Sequence, residues 1–235
     1  MKIYRNPSKG QWPEIVSRPH LDMSQLHATV SGVLSDVRSR GDKAVMEYEE
    51  RFDHVKLASL AVSEEEMRVA EVYVSEELKA AIRLAHKNIR AFHEAQRFKP
   101  VKVETSPGVI CSQRSIPIES VGLYVPGGTA PLFSTVLMLA TPAQIAGCGE
   151  TVLCTPPTYH PGNVGGAFGG AAPYPTPIHP AILYAAKVAG VGRIFKAGGV
   201  QAIGAMAYGT ESIPKVCKIF GPGNQYVMAA KQQVA

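Results

Sequence analysis

The chain has 235 residues, 46% of them hydrophobic, with 24 lysines and arginines against 19 aspartates and glutamates and a net charge of +5, the profile of a globular protein with one large domain or two small ones. Basic residues are interleaved with acids, as between Arg38 and Arg51, and neither cluster by fives nor alternate with aromatics, so no nucleic-acid partner is expected. The opening MKIYRNPSKGQWPEI places charges and prolines where a secretory signal needs about 7–15 apolar residues, and no run approaches the roughly 20 of a membrane span, so a cytoplasmic protein with no membrane partner is expected.

The first half reads as helical. Leu26, Val30, Val33 and Val37 recur at spacings of three and four and form one apolar stripe; Gly41 breaks that helix and Asp42 to Phe52 begins another. Ser63-Glu64-Glu65-Glu66 has the form of a capping box, in which the serine oxygen accepts from the third backbone N–H and the glutamate reaches back. From Ser75 a further helix carries Leu78, Ile82, Ala85, Ile89 and Phe92 on one face to about Arg97, and Pro100 ends it. Val101 to Val103 and Val109 to Ile116 flank Ser106-Pro107-Gly108 as a hairpin.

From residue 119 the pattern becomes strand, glycine or proline turn, small-residue helix. Strands are expected at Val121 to Val125, Thr151 to Thr155, Arg193 to Ala197 and Val216 to Phe220. Helices are expected at Ser134 to Ile145, Pro180 to Ala189, Gln201 to Tyr208 and from Gln225 onward. Strands rich in Val, Ile, Leu and Phe without alternation imply burial on both faces. The expected fold is therefore α/β, a Rossmann-like parallel sheet with flanking helices, preceded by a mainly helical N-terminal segment. The division falls into residues 1–118, part of a first α/β domain, and 119–235, a Rossmann-like nucleotide-binding domain. Residues 158–177 form a Gly/Pro-rich insertion longer than the usual connection of about 2–6 residues, either a lid over the glycine turns or an insertion without a role. The final AAKQQVA stops within an amphipathic helix lacking a C-cap glycine, and the chain reads as cut short.

Three turns invite a phosphate. Pro126-Gly127-Gly128, Gly198-Gly199 and Gly221-Pro222-Gly223 each follow a strand and precede a helix, so that backbone N–H groups and the positive helix end face one edge. No GxGxxG and no GxxxxGK[ST] occurs. Beside these turns stand Tyr124, Gln201 and Asn224, placed to stack on or hydrogen-bond a nucleotide, although Asn at a helix start is also a good cap. Acid, base and metal groups are sparse. His86 and His93 lie seven apart on a helix, His20, His27, His54, His160 and His179 are scattered, Glu211 is the one acid near the glycine edge, and no paired carboxylates are legible there. Cys111, Cys148, Cys154 and Cys217 form no CxxC pair, which suggests neither a disulfide framework nor a structural zinc site.

The stretches SVGLYVPGGTAPLFSTVLMLATPAQIAGC, ILYAAKVAGVGRIFKAGGVQAIGAMAYGTESIPKV and KIFGPGNQYV, together with RGDKAVMEYEERFD and ELKAAIRLAHKNIRAFHEAQ, closely resemble histidinol dehydrogenase. The resemblance implies an NAD-dependent, zinc-containing homodimer that oxidises L-histidinol to L-histidine through an aldehyde, with two NAD molecules used in succession. It implies NAD contacts at Tyr124, Gln201 and Asn224. It also implies that the zinc ligands, the acid/base pair and most substrate contacts lie downstream of the GPGN helix, so that no catalytic or metal residue is assigned here and the chain alone is expected to be inactive. Cys217 stands where the family commonly has an acid, and either it or the insertion is expected to bear on cofactor entry. The alternative is a non-catalytic nucleotide-binding or assembly module.

Overall fold

The structure, a computed structural model, describes residues 3–17, 24–127, 130–158 and 176–235. Gly128, His20, His160 and the insertion between residues 159 and 175 lie outside the described residues.

After a 3-10 turn at Lys9–Gln11, the N-terminal part runs α1 (Trp12–Val16), α2 (Ser24–Arg40), α3 (Asp42–Phe52), α4 (Glu64–Val72) and α5 (Glu76–Ala95). The expected punctuation is present. Gly41 adopts φ 56° between α2 and α3, and the Ser63 capping box closes with Glu66 N–H donating to Ser63 Oγ at 3.1 Å and Ser63 N–H donating to Glu66 Oε2 at 2.7 Å. Ser75 caps α5 by accepting from the Leu78 N–H at 3.2 Å. The α5 stripe is buried at Ile82, but Phe92 at its far end remains 64% exposed.

The hairpin is β1 (Val101–Ser106) against β2 (Val109–Gln113), antiparallel, and every residue of both strands is exposed. A parallel sheet follows: β3 (Ser120–Tyr124), β4 (Glu150–Thr155), β5 (Arg193–Lys196) and β6 (Lys218–Phe220), interleaved with α6 (Phe133–Ala146), α7 (Pro180–Val188), α8 (Gly199–Tyr208) and α9 (Gln225–Val234). Pro180 starts α7 as anticipated, where its missing N–H costs nothing, and His179 Nδ1 accepts from the Ala181 N–H.

The strand order is β5-β4-β3-β6. Numbered by succession within the sheet this is 3-2-1-4, the doubly wound order, and it reverses direction between β3 and β6. Alternation assigns the faces. Val121, Leu123, Val125, Leu153 and Ile194 belong to a cluster completed by α4, α5, α6 and α7. Tyr124, Val152, Cys154 and Phe195 point the other way, into a cluster with α2, α3, α8 and α9. Both clusters thus take residues from either side of residue 118. Burial of β3 on both faces agrees with its unbroken apolar composition.

The two sheet borders differ. Along β5, the α3–α4 connection lies as a short strap, with Lys196 N–H donating to Leu60 O at 2.7 Å and Val62 N–H to Ile194 O at 2.9 Å. Along β6, Lys218 and Phe220 are exposed, and a hollow of about 390 Å³ lined by Ile116, Ile118, Met138, Leu139 and Phe220 opens beside the strand. Among the described residues no helix is long and apolar enough to cross a membrane.

Candidate functional site

The carboxyl ends of the strands gather the glycine turns, and the switch between β3 and β6 is where such sheets bind ligands. Tyr124 is the last residue of β3 and joins two of the turns. Its hydroxyl accepts from the Gly199 N–H at 3.0 Å, across the end of β4, while its carbonyl oxygen lies against the Gly221 Cα, where a Cβ would run into it. Gln201 sits in the first turn of α8, and Asn224 heads α9, three residues beyond Gly221. The three residues therefore share one rim.

They do not all face outward. Tyr124 and Gln201 are only 3% and 2% exposed, so they form the floor of the rim rather than its open wall. Asn224 is exposed, and its Oδ1 caps α9 by accepting from the N–H groups of Tyr226 at 3.0 Å and Val227 at 3.1 Å. That bond uses the oxygen and leaves the amide nitrogen toward solvent.

The three turns also differ in what satisfies them. At Gly198-Gly199 the protein supplies its own acceptors: Gly198 N–H donates to Glu49 Oε1 at 2.8 Å and Gly199 N–H to the Tyr124 hydroxyl at 3.0 Å. The expected open phosphate cradle there is corrected, because both amides are already bonded. Close packing, moreover, accounts for glycine at two positions: a Cβ on Gly127 would lie 2.7 Å from Pro156 Cγ, and one on Gly198 2.5 Å from Pro156 Cβ. The α9 turn is capped by Asn224. At the start of α6, by contrast, the N-cap is Leu132, whose side chain offers the helix amides no acceptor, so among the described residues no side-chain cap closes this N-terminus next to the switch point.

Glu49 was not legible as a site residue. It lies in the middle of α3, fully buried, and its Oε1 accepts a second hydrogen bond from Gln201 Nε2 at 2.8 Å. Asp53, one helical turn on, is half-buried and faces the same turn, with Oδ2 3.4 Å from where a Gly198 Cβ would stand. The expectation of no paired carboxylates near the glycine turns is therefore overturned. The available signal was local: Val45 and Glu49 are four apart on the buried stripe of α3, and an acid on an apolar stripe needs a buried partner. Glu211, expected near this edge, is elsewhere. It accepts from the Asp42 N–H at 2.8 Å and serves the start of α3. Cys217 precedes β6 and contacts Ser120 at the amino end of β3, the border opposite the rim.

Burial pushes the Glu49 carboxyl up to about 8, against the lowering effect of its bonds to Gly198 and Gln201, and the nearby Asp53 charge adds to the rise. Burial raises Asp53 as well, and it lifts the Tyr124 phenol to about 12. A carboxyl whose folded value exceeds its unfolded one stabilises the fold fully below the unfolded value and loses that contribution as pH rises through the folded one. Thermal melts are thus expected to show a fall in stability attributable to Glu49 between about pH 4.5 and 8. In Glu49→Gln that portion of the slope should vanish; an unchanged slope would mean that Glu49 is ionised in the fold at neutral pH.

Among the described residues no group of three or more His, Cys, Asp or Glu side chains could hold a metal ion. Zinc therefore finds no fit on these residues, and no step is drawn through it.

The chain is similar to known proteins over its whole length. The family model for histidinol dehydrogenase matches residues 16–235. The chain is 60% identical over 235 residues to a histidinol dehydrogenase of Bacteroides thetaiotaomicron, covering all of this chain and 51% of that protein. It is 50% identical over 226 residues to that of Escherichia coli K12, covering 96% of this chain and 48% of the relative. The crystal structure of histidinol dehydrogenase from Elizabethkingia anophelis superposes with a TM-score of 0.85 at 45% identity, over 98% of this chain and 50% of that one. The chain thus spans about half the length of the relatives it matches, and over that span it belongs to the histidinol dehydrogenase family.

Proposed function

We propose that this chain is the cofactor-holding portion of an NAD-dependent enzyme that oxidises L-histidinol to L-histidine through the aldehyde, and that in full-length form it acts as a zinc-containing homodimer. The observation that carries the reading is that Tyr124, Gln201 and Asn224 all stand at the carboxyl ends of the strands, with the Tyr124 hydroxyl reaching across to the turn that leads into Gln201. Family membership supplies the reaction class. NAD, when bound, provides the hydride acceptor, and the chain's own residues bind and orient it. The uncapped start of α6 suits the diphosphate, the exposed Asn224 amide suits a polar group of the cofactor, and Tyr124 with Gln201 fixes the floor.

Hydride removal from an alcohol also needs a base at the carbinol. In this reading that base comes from the portion of the family's length not spanned here. A full-length polypeptide containing this sequence, supplied with zinc, NAD and L-histidinol, is expected to form NADH, and the isolated chain is expected to form none. Absence of turnover in the first case, or clear turnover in the second, would overturn the reading.

Asn224→Asp refines the test. Aspartate keeps an oxygen for the α9 cap but removes the amide donor and brings a negative charge toward the cofactor, so NAD affinity of the full-length enzyme is expected to fall about tenfold, or ~1.4 kcal/mol. Unaltered affinity in the folded variant would reduce Asn224 to a cap.

A further inference from the structure

Gly198 and Gln201 contact the same atom, and that fixes more than the turn. A backbone N–H can only donate, so Glu49 Oε1 accepts the Gly198 bond of 2.8 Å, and with the carboxyl proton carried by Oε2 it has no hydrogen of its own to give. Oε1 then accepts from its second neighbour as well, and the Gln201 group 2.8 Å away is the amide nitrogen Nε2. The two ends of a glutamine side chain are otherwise close to interchangeable in shape. Here Glu49 breaks the tie. With Nε2 turned inward, Gln201 Oε1 is the end presented to the turn, 2.8 Å from where a Gly199 Cβ would stand.

We infer that Glu49 is a positioning residue for the cofactor: reaching from α3, it orients the Gln201 amide so that an acceptor oxygen, not a donor nitrogen, faces the rim, and it holds the Gly198-Gly199 turn in the shape that this requires. The inference rests on the reading of Gln201 as a cofactor contact. It adds the chemistry of that contact, since an acceptor at this point takes an N–H donor, and NAD offers two such groups, the nicotinamide carboxamide and the adenine amino group. The remaining oxygen of Glu49, Oε2, is buried and accepts no hydrogen bond from the described residues, while the Asp53 carboxyl is a hydrogen-bonding neighbour of the Glu49 carboxyl. It is therefore the atom with room for a proton, beside Asp53, and a neutral Glu49 keeps a net negative charge away from an anionic cofactor.

The test uses the full-length enzyme and reads KM for NAD, KM for histidinol and kcat separately. Gln201→Ala and Glu49→Ala are each expected to raise KM for NAD about tenfold, and the double variant to exceed Gln201→Ala by no more than about twofold, because both changes remove one shared interaction. Glu49→Gln retains the acceptor oxygen and can turn its amide toward Asp53, so it is expected to stay within about twofold of wild type in KM for NAD. A purely structural role would not separate these variants in the cofactor term while leaving KM for histidinol in place.

If Glu49→Ala does not fold, Glu49→Asp, which draws the acceptor back by one methylene, is expected to raise KM for NAD about fivefold against the same Glu49→Gln reference. Failure of Gln201→Ala to change KM for NAD would remove the cofactor reading itself, and this inference with it. A loss in Gln201→Ala with multiplying effects in the double variant, or with Glu49→Asp and Glu49→Gln alike, would leave that reading standing and overturn the positioning role alone.

Discussion

Replacing Gly221 by alanine is expected to cost about 3 kcal/mol or more of folding stability, seen as a lower urea midpoint with an unchanged slope. Gly221 has φ 136°, a conformation that L residues rarely adopt, and a Cβ there would run into the Tyr124 carbonyl oxygen. Strain of this kind is typically about 1–3 kcal/mol by itself, and the clash adds to it because neither backbone can retreat. Leu123 is in register with Phe220, and Val125 N–H bonds Cys154 O at 3.0 Å, so the end of β3 is clamped between its neighbours. Gly32, inside α2, is the control. Nothing lies within 4 Å of its Cβ position, and Gly32→Ala should stabilise by roughly 0.5–1 kcal/mol. Equal effects at the two sites would sink the argument.

The second large effect lies at the end of β5. Lys196 is 6% exposed, and its ammonium is held by Glu66 through bonds of 2.9 and 3.2 Å. Glu66 is at the same time the reciprocal member of the α4 capping box, so one carboxylate ties a helix start to a strand end. Glu66→Ala strands a buried cation and opens the box, for an expected loss of about 3 kcal/mol. Adding Lys196→Met to that variant should restore part of the loss, since the unpaired charge, rather than the missing attraction, dominates it. Burial by itself would raise the Glu66 carboxyl, but the Ser63 N–H and Lys196 outweigh it and hold the group below its ordinary 4.5. Its contribution is then present above that value and lost as pH falls through the lower folded one, the opposite sign to Glu49. Melts of Glu66→Gln taken on the acid side should lack this loss; a wild-type acid slope in the variant would exclude the pair as its source.

Local grammar made most of the architecture readable. The Ser63–Glu66 box, the break at Gly41 and Pro180 at the start of α7 are signals complete within a few residues, and the structure places each where the sequence puts it. The continuous apolar run of β3 announced burial on both faces. What escaped was carried by long separations. Glu49 meets Gly198 across 149 positions and Gln201 across 152, and Glu66 meets Lys196 across 130, so no window of local pattern contains any of the three pairs. The Gly198-Gly199 turn was ambiguous for a related reason. A glycine before a helix fits an anion or a neighbouring side chain equally well, and only tertiary packing shows that Pro156 and Glu49 are what Gly198 accommodates.

The strap of residues 60–62 along β5 has a directional consequence. With its outer amide and carbonyl positions engaged by Leu60 and Val62, that strand is shielded from recruitment by a foreign strand, the commonest route to unwanted ribbon growth. The other edge is β6, which among the described residues pairs only with β3 and whose flank carries the apolar hollow around Phe220. Among the described residues the sheet is thereby polarised, with one sealed margin at β5 and one receptive margin at β6.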